Sequence, residues 1–161
     1  MCKEKEIILV LCGLLLKETE LYKLFSLVNN IEDIENYISE KAKKEDIEKA
    51  KENYNRLKRI NGNVISIFDD LYPANLKEIY NAPPILYSLG NYTTEDVESI
   101  AVVGSRNVSE KGKILTELLI KDLEGYPITI VSGLAIGVDT IAHQEALRVG
   151  LRTIAVLGSG I

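Results

Sequence analysis

The chain is short of most residues that announce a chemistry. It has two cysteines, Cys2 and Cys12, in 161 residues. Two thiols cannot build the disulfide framework of a small secreted protein. A single histidine, His143, with no cysteine near it, gives no metal-ligand spacing and no nucleophile paired with a base. The apolar stretch at residues 7–16 is about half the roughly twenty residues needed to cross a bilayer, and it follows the mixed charges Lys3-Glu4-Lys5-Glu6. A buried helix is expected there and, with no export signal, a cytoplasmic protein. Positive charge is not in excess either. The net charge of −5 argues against a generally basic nucleic-acid binder. Residues 1–99 hold 13 Lys or Arg against 18 Asp or Glu, and residues 100–161 hold 6 against 6, so any contact with a polyanion has to be local. Internal repeats and low-complexity segments are absent.

Two nucleotide signatures are missing as well. No G-x-G-x-x-G follows a hydrophobic run, and Glu110-Lys111-Gly112-Lys113 lacks the glycine spacing and the Ser or Thr of a phosphate-binding loop. No cofactor is therefore expected.

What the chain does have is three hydrophobic runs, at 100–104, 128–133 and 153–158, each ending in a loop of small residues. The first two are nearly continuous in β-branched residues, as parallel strands covered on both faces by helices should be. Ser109 is placed to cap a helix over 110–124, with Leu115, Leu118, Leu119 and Leu123 on one face, ended by Gly125-Tyr126-Pro127. Asp139 is placed to cap a helix over 140–149, ended by Gly150. The expected order is β-α-β-α-β. Ligands gather where parallel strands finish, and exposed N–H groups at helix starts favour an anion there. The loops Gly104-Ser105-Arg106, Ser132-Gly133-Leu134-Ala135-Ile136-Gly137 and Gly158-Ser159-Gly160 are the expected site. Arg106 supplies a fork suited to phosphate, with surface pairing to Glu110 as the alternative. Asp139 stands four residues before His143 on one helix face. With no third partner, the pair reads as a helix cap and a histidine packed under the loop, rather than as a hydrolase or metal site.

Residues 1–60 differ in character. Apolar residues recur at helical spacing over 18–28 and 31–38, and a narrow stripe of Ile47, Ala50, Tyr54, Leu57 and Ile60 runs through the charged segment 45–60. Asn61-Gly62-Asn63 marks a boundary by its turn chemistry. Short strands are expected at 64–68 and 85–89. Between them Tyr72 and Tyr80 are expected to pack in the core or in turns, with base stacking as the alternative role.

Together these segments resemble the DNA-processing protein A family (DprA/Smf). The resemblance rests on Val103-Gly104-Ser105-Arg106, on Val131-Ser132-Gly133-Leu134-Ala135-x-Gly137-Val138-Asp139-x-x-Ala142-His143-x-x-Ala146-Leu147, and on Thr153-Ile154-Ala155-Val156-Leu157-Gly158-x-Gly160. Upstream, Tyr72-Pro73 with Leu76 and Ile79, then Pro83-Pro84-Ile85-Leu86 and Gly90, fit the same pattern. It covers about residues 64–161.

The resemblance implies an α/β, Rossmann-like, doubly wound and mainly parallel sheet over 64–161, incomplete at its C-terminal side, preceded by a small all-α SAM-like domain over 1–60. It implies binding of single-stranded DNA and loading of a RecA-type recombinase in natural transformation, with no cofactor and no membrane. A homodimer surface would lie in the part of the family's sheet beyond residue 161. Arg106 takes the place of the family's phosphate-contacting arginine, shaped by Gly104 and Ser105. Ser132, Gly133, Leu134, Ala135 and Gly137 form a second wall, and Gly158, Ser159 and Gly160 open a third. Ile136 stands where many relatives carry a lysine or arginine, so one phosphate grip is expected to be missing. The alternative reading is a nucleotide-binding or nucleotide-hydrolysing enzyme or sensor on a related Rossmann-like fold.

Overall fold

The computed structural model describes residues 3–93, 96 and 98–158. The chain divides into two compact units, Met1–Asn91 and Tyr92–Ile161.

The first unit is built on helices α1 (Lys3–Leu15), α2 (Glu18–Leu27), α3 (Ile31–Ser39) and α4 (Lys44–Arg59). Side chains close the starts of α2, α3 and α4. The Glu20 carboxylate accepts from the Lys17 N–H at 2.9 Å, Asn30 Oδ1 accepts from the Asp33 N–H at 3.0 Å, and Asp46 accepts from the Lys43 N–H at 3.0 Å. The apolar segment at 7–16 is largely a buried helix as its length predicts, and Leu9, Cys12, Ile34, Ile38 and Ala50 fill the centre of the unit.

Strands β1 (Gly62–Ser66) and β2 (Ile85–Leu89), with the short helix α5 (Ala74–Lys77) between them, pair antiparallel from Gly62↔Leu89 to Ser66↔Ile85. This hairpin belongs to the helical unit. Val64 joins the helical core, and the Phe68 ring stacks on Phe25 with centroids 5.6 Å apart. The compact units part after Asn91, and the turn expected at Asn61 is present with φ +56°, carrying the chain from α4 into β1. Tyr72 is buried and its hydroxyl donates to the Pro83 carbonyl at 2.7 Å, a packing role. Tyr80, expected to pack too, is fully exposed.

The second unit runs β3 (Ser99–Ala101), α6 (Glu110–Lys121), β4 (Thr129–Ser132), α7 (Val138–Arg148), β5 (Arg152–Ala155). The strands are parallel in the order β3-β4-β5, with Ile100↔Ile130↔Thr153 in register. This is the expected β-α-β-α-β order on a Rossmann-like sheet, with shorter strands than the apolar runs. Ile120 of α6, Ala142 and Ala146 of α7, and Leu151 close on Ile130. Both helices thus cover the face that carries Ile130. By strand alternation Ala101, Val131 and Ile154 point to the opposite face, where they stay partly or wholly exposed, so among the described residues the helices cover one face and not two.

The α6 expectation is reversed. Leu115, Leu118 and Leu119 are exposed, and the helix buries Thr116 and Ile120 with Leu123 just beyond it. The Thr116 hydroxyl donates to the Gly112 carbonyl at 2.8 Å, which lets a polar residue sit inward.

Candidate functional site

The three loops leave the C-terminal ends of β3, β4 and β5, as parallel neighbours must. Backbone and hydroxyl bonds join them. Val102 N–H donates to the Val131 carbonyl and Val156 N–H to the Ser132 carbonyl, at 2.9 and 2.8 Å. The buried Ser132 hydroxyl donates back to the Val102 carbonyl at 2.6 Å, so it ties two strands together at the head of the loop. Ser105 closes its own turn: its hydroxyl donates to the Asn107 carbonyl at 2.9 Å and accepts the Asn107 N–H at 3.1 Å.

Gly137 is where the loops meet. It holds φ +100°, and a Cβ added there would collide with the Ser105 carbonyl oxygen, lie 2.7 Å from the Arg106 carbonyl oxygen and 2.8 Å from Arg106 Cα. Only glycine fits this approach. Gly104 faces α7 in the same way, with an added Cβ 2.7 Å from Val138 Cγ2. The β4–α7 loop thereby lies directly against the segment that carries Arg106. Arg106 itself is exposed and forms no ion pair among the described residues; the pairing with Glu110 is not made.

The start of α7 is more self-contained than the glycines suggest. Gly137, not Asp139, is the cap residue, and Asp139 lies inside the first turn. The buried Asp139 carboxylate reaches back to the Gly133 N–H at 3.1 Å. Val138 N–H donates to the Ser105 carbonyl at 3.2 Å, and Thr140 N–H and Ile141 N–H donate to the Ala135 and Gly137 carbonyls, both at 3.1 Å. The N–H groups of Gly133, Val138 and Thr140 are therefore engaged inside the fold, and Arg106 is the charged group that the loops present. Leu134 takes φ +56° and is exposed, Ala135 is half-buried, and Gly158 is exposed. Ser159 and Gly160 lie outside the described residues.

His143 sits beneath this loop. Thr153 Oγ1 donates its one proton to the Ile130 carbonyl at 2.9 Å, so the 2.7 Å contact between His143 Nδ1 and Thr153 Oγ1 requires the imidazole to donate. Nε2 is then the bare nitrogen, buried with no hydrogen-bond partner among the described residues. Burial pulls the His143 pKa below its ordinary 6.5, against the opposing pull of the Asp139 charge. The neutral ring is thus the native form, and the unfolded chain takes up a proton at a higher pH than the folded one. Stability is complete above the ordinary value and falls on acidification. We expect the urea midpoint to drop between pH 7 and pH 5, and to drop less in His143→Gln. As this is the only histidine, identical pH profiles would remove it as the cause.

Sequence reasoning missed Asp96. This buried carboxylate accepts from Thr93 N–H at 2.7 Å and Thr129 Oγ1 at 2.8 Å, and receives Arg152 Nε and Nη2 at 2.8 and 2.7 Å. Thr93 is a local partner, but Thr129 and Arg152 lie 33 and 56 residues away, so no local motif could have shown the ion pair.

Chemically, the loop cluster offers one unpaired guanidinium on a fixed backbone frame. Asp139 is committed to Gly133, and His143 is neutral and bonded to Thr153. No group of three His, Cys, Asp or Glu able to hold a metal ion occurs among the described residues. No helix of the described residues is long and apolar enough to cross a membrane.

Comparison with known proteins gives this frame a family. Residues 63–161 match the family described as DNA recombination-mediator protein A. The chain is 49% identical over 96 residues to DNA processing protein DprA of Streptococcus pneumoniae, an alignment covering 60% of this chain and 34% of that protein. It is 41% identical over 97 residues to protein Smf of Synechocystis, covering 58% and 24% respectively. The X-ray structure of DNA processing protein A from Streptococcus pneumoniae superposes with a TM-score of 0.61 at 33% identity, over 97% of this chain and 53% of that one. The chain therefore spans about a third of the pneumococcal protein and about a quarter of the cyanobacterial one. With its matched loops, its parallel sheet and its helical N-terminal part all in the family's order, this chain belongs to the DprA/Smf family of DNA recombination mediators.

Proposed function

We propose that this chain binds single-stranded DNA through phosphate contacts at the Arg106 end of the sheet, acts by binding rather than catalysis, and in that state assists loading of a RecA-type recombinase in the cytoplasm during natural transformation. A homodimer is part of the same proposal. The observation that carries it is Arg106: a guanidinium without an ion pair among the described residues, held at the strand ends by the contact of Gly137 with its backbone. A planar fork grips a phosphate through two hydrogen bonds, and with a net charge of −5 such a grip has to be local rather than spread over the surface.

The test is oligonucleotide affinity measured across a salt series. Arg106→Ala is expected to weaken binding by about 1.5–3 kcal/mol while leaving the fold intact. Arg106→Lys should recover part of that, because an ammonium binds as a point charge. With one phosphate fewer neutralised, the slope of log affinity against log salt should also become shallower by about 0.7. Unchanged affinity and slope in a folded Arg106→Ala chain would end the assignment. A free mononucleotide should compete poorly with an oligonucleotide that spans several binding positions, whereas a nucleotide-handling enzyme would be saturated by it.

A further inference from the structure

The rim of the Arg106 site is more apolar than a phosphate grip requires. Leu134 and Ile136 are 56% and 80% exposed, on a loop whose backbone is tied into the fold at both ends. Leu134 is fixed at φ +56°. The carbonyl between them, that of Ala135, accepts both the Thr140 N–H and the Thr140 hydroxyl, at 3.1 and 2.7 Å. Gly137 then clamps the far end of the loop against Ser105 and Arg106. Two large aliphatic side chains are therefore held in water by a rigid frame, at a hydration cost that nothing among the described residues recovers. Ile136 directly precedes the glycine that touches Arg106, so a cation and an apolar surface share one edge.

The ligand that matches this edge has a negative charge and, a short covalent distance away, a broad apolar face. A nucleotide within a single strand meets both requirements: its phosphate is flanked by a base whose faces are free. Resting on the single-stranded DNA reading above, we infer that Leu134 and Ile136 form a platform for an unstacked base of the nucleotide whose phosphate Arg106 holds. Branched aliphatic side chains serve elsewhere as wedges against base faces. Contact with a base face is tolerant of sequence, because every base has one. A duplex keeps its bases stacked, so the platform also selects single strands over double strands.

The experiment uses the full 161-residue chain and two probes of equal length, a thymidine oligonucleotide and a strand of abasic sugar phosphates. Two variants remove the apolar surface: Ile136→Ser, and Leu134→Asn, which suits the left-handed backbone at that position. Each is expected to weaken binding of the thymidine strand about fivefold and to leave the abasic strand unchanged. Arg106→Ala should weaken both. An equal effect on the two strands, or none on either, overturns the platform while Arg106 dependence preserves the DNA reading; surface for a protein partner is then the remaining use of these side chains. If the unaltered chain binds neither strand, the DNA reading and the platform fall together. Circular dichroism of both variants confirms the fold, and the high exposure of Ile136 makes unfolding an unsuitable explanation for its loss.

Discussion

Asp96→Ala is expected to destabilise the second unit by about 3 kcal/mol, since removing one partner of a buried pair strands the other and opens its hydrogen bonds. The Asp96 side chain is 0% exposed, whereas that of Arg152 is 43% exposed, which lets water soften the loss at the guanidinium end. The Arg152 guanidinium holds the carboxyl well below its ordinary 3.8; burial opposes this, and the Thr93 N–H and Thr129 hydroxyl support it. A depressed carboxylate stabilises fully above the ordinary value and loses its effect as the pH falls towards the folded one. Urea unfolding at pH 7 should show the deficit, and the gap between the two proteins should narrow below about pH 4. Equal midpoints at pH 7 would mean that the clamp contributes nothing.

The second large effect is expected at Gly137. In Gly137→Ala the new Cβ meets three backbone atoms of Ser105 and Arg106 at φ +100°, and backbone cannot swing aside as a long side chain does. We expect a loss of about 3 kcal/mol or more, combining backbone strain with overpacking. Gly158→Ala is the control, because its Cβ meets nothing within 4 Å. It should cost no more than about 0.5 kcal/mol. A Gly137→Ala chain as stable as the Gly158→Ala chain would show that the loops are not locked where Gly137 meets Arg106.

The order of strands and helices in the second unit was legible because β-branched runs ending in glycine have few other uses. The sidedness of α6 was not. Leu115, Leu118 and Leu119 form a regular stripe, but so do Thr116, Ile120 and Leu123, and the partners Ile130, Ala142 and Ala146 select the second. A threonine whose hydroxyl is satisfied within its own helix counts as polar in a sequence pattern and as apolar in a core. At the site, Arg106 and its glycines could be named from the sequence, since each motif is local. That Asp139 and the Ser105 and Ala135 carbonyls take up the N–H groups of Gly133, Val138 and Thr140 could not be, because hydrogen bonds between loops leave no periodicity. Asn61 announces a turn, and the family match opens just after it at residue 63, but that the hairpin packs on the helices shows only in the contacts of Val64 and Phe68.

The Asp96–Arg152 bridge joins residues 56 positions apart. Closing so long a loop costs chain entropy before the bridge returns any energy, so it is expected to form after the helices and strand pairs that it encloses. A latch formed late acts mainly on opening: Asp96→Ala is expected to speed unfolding in urea-jump kinetics by more than it slows refolding.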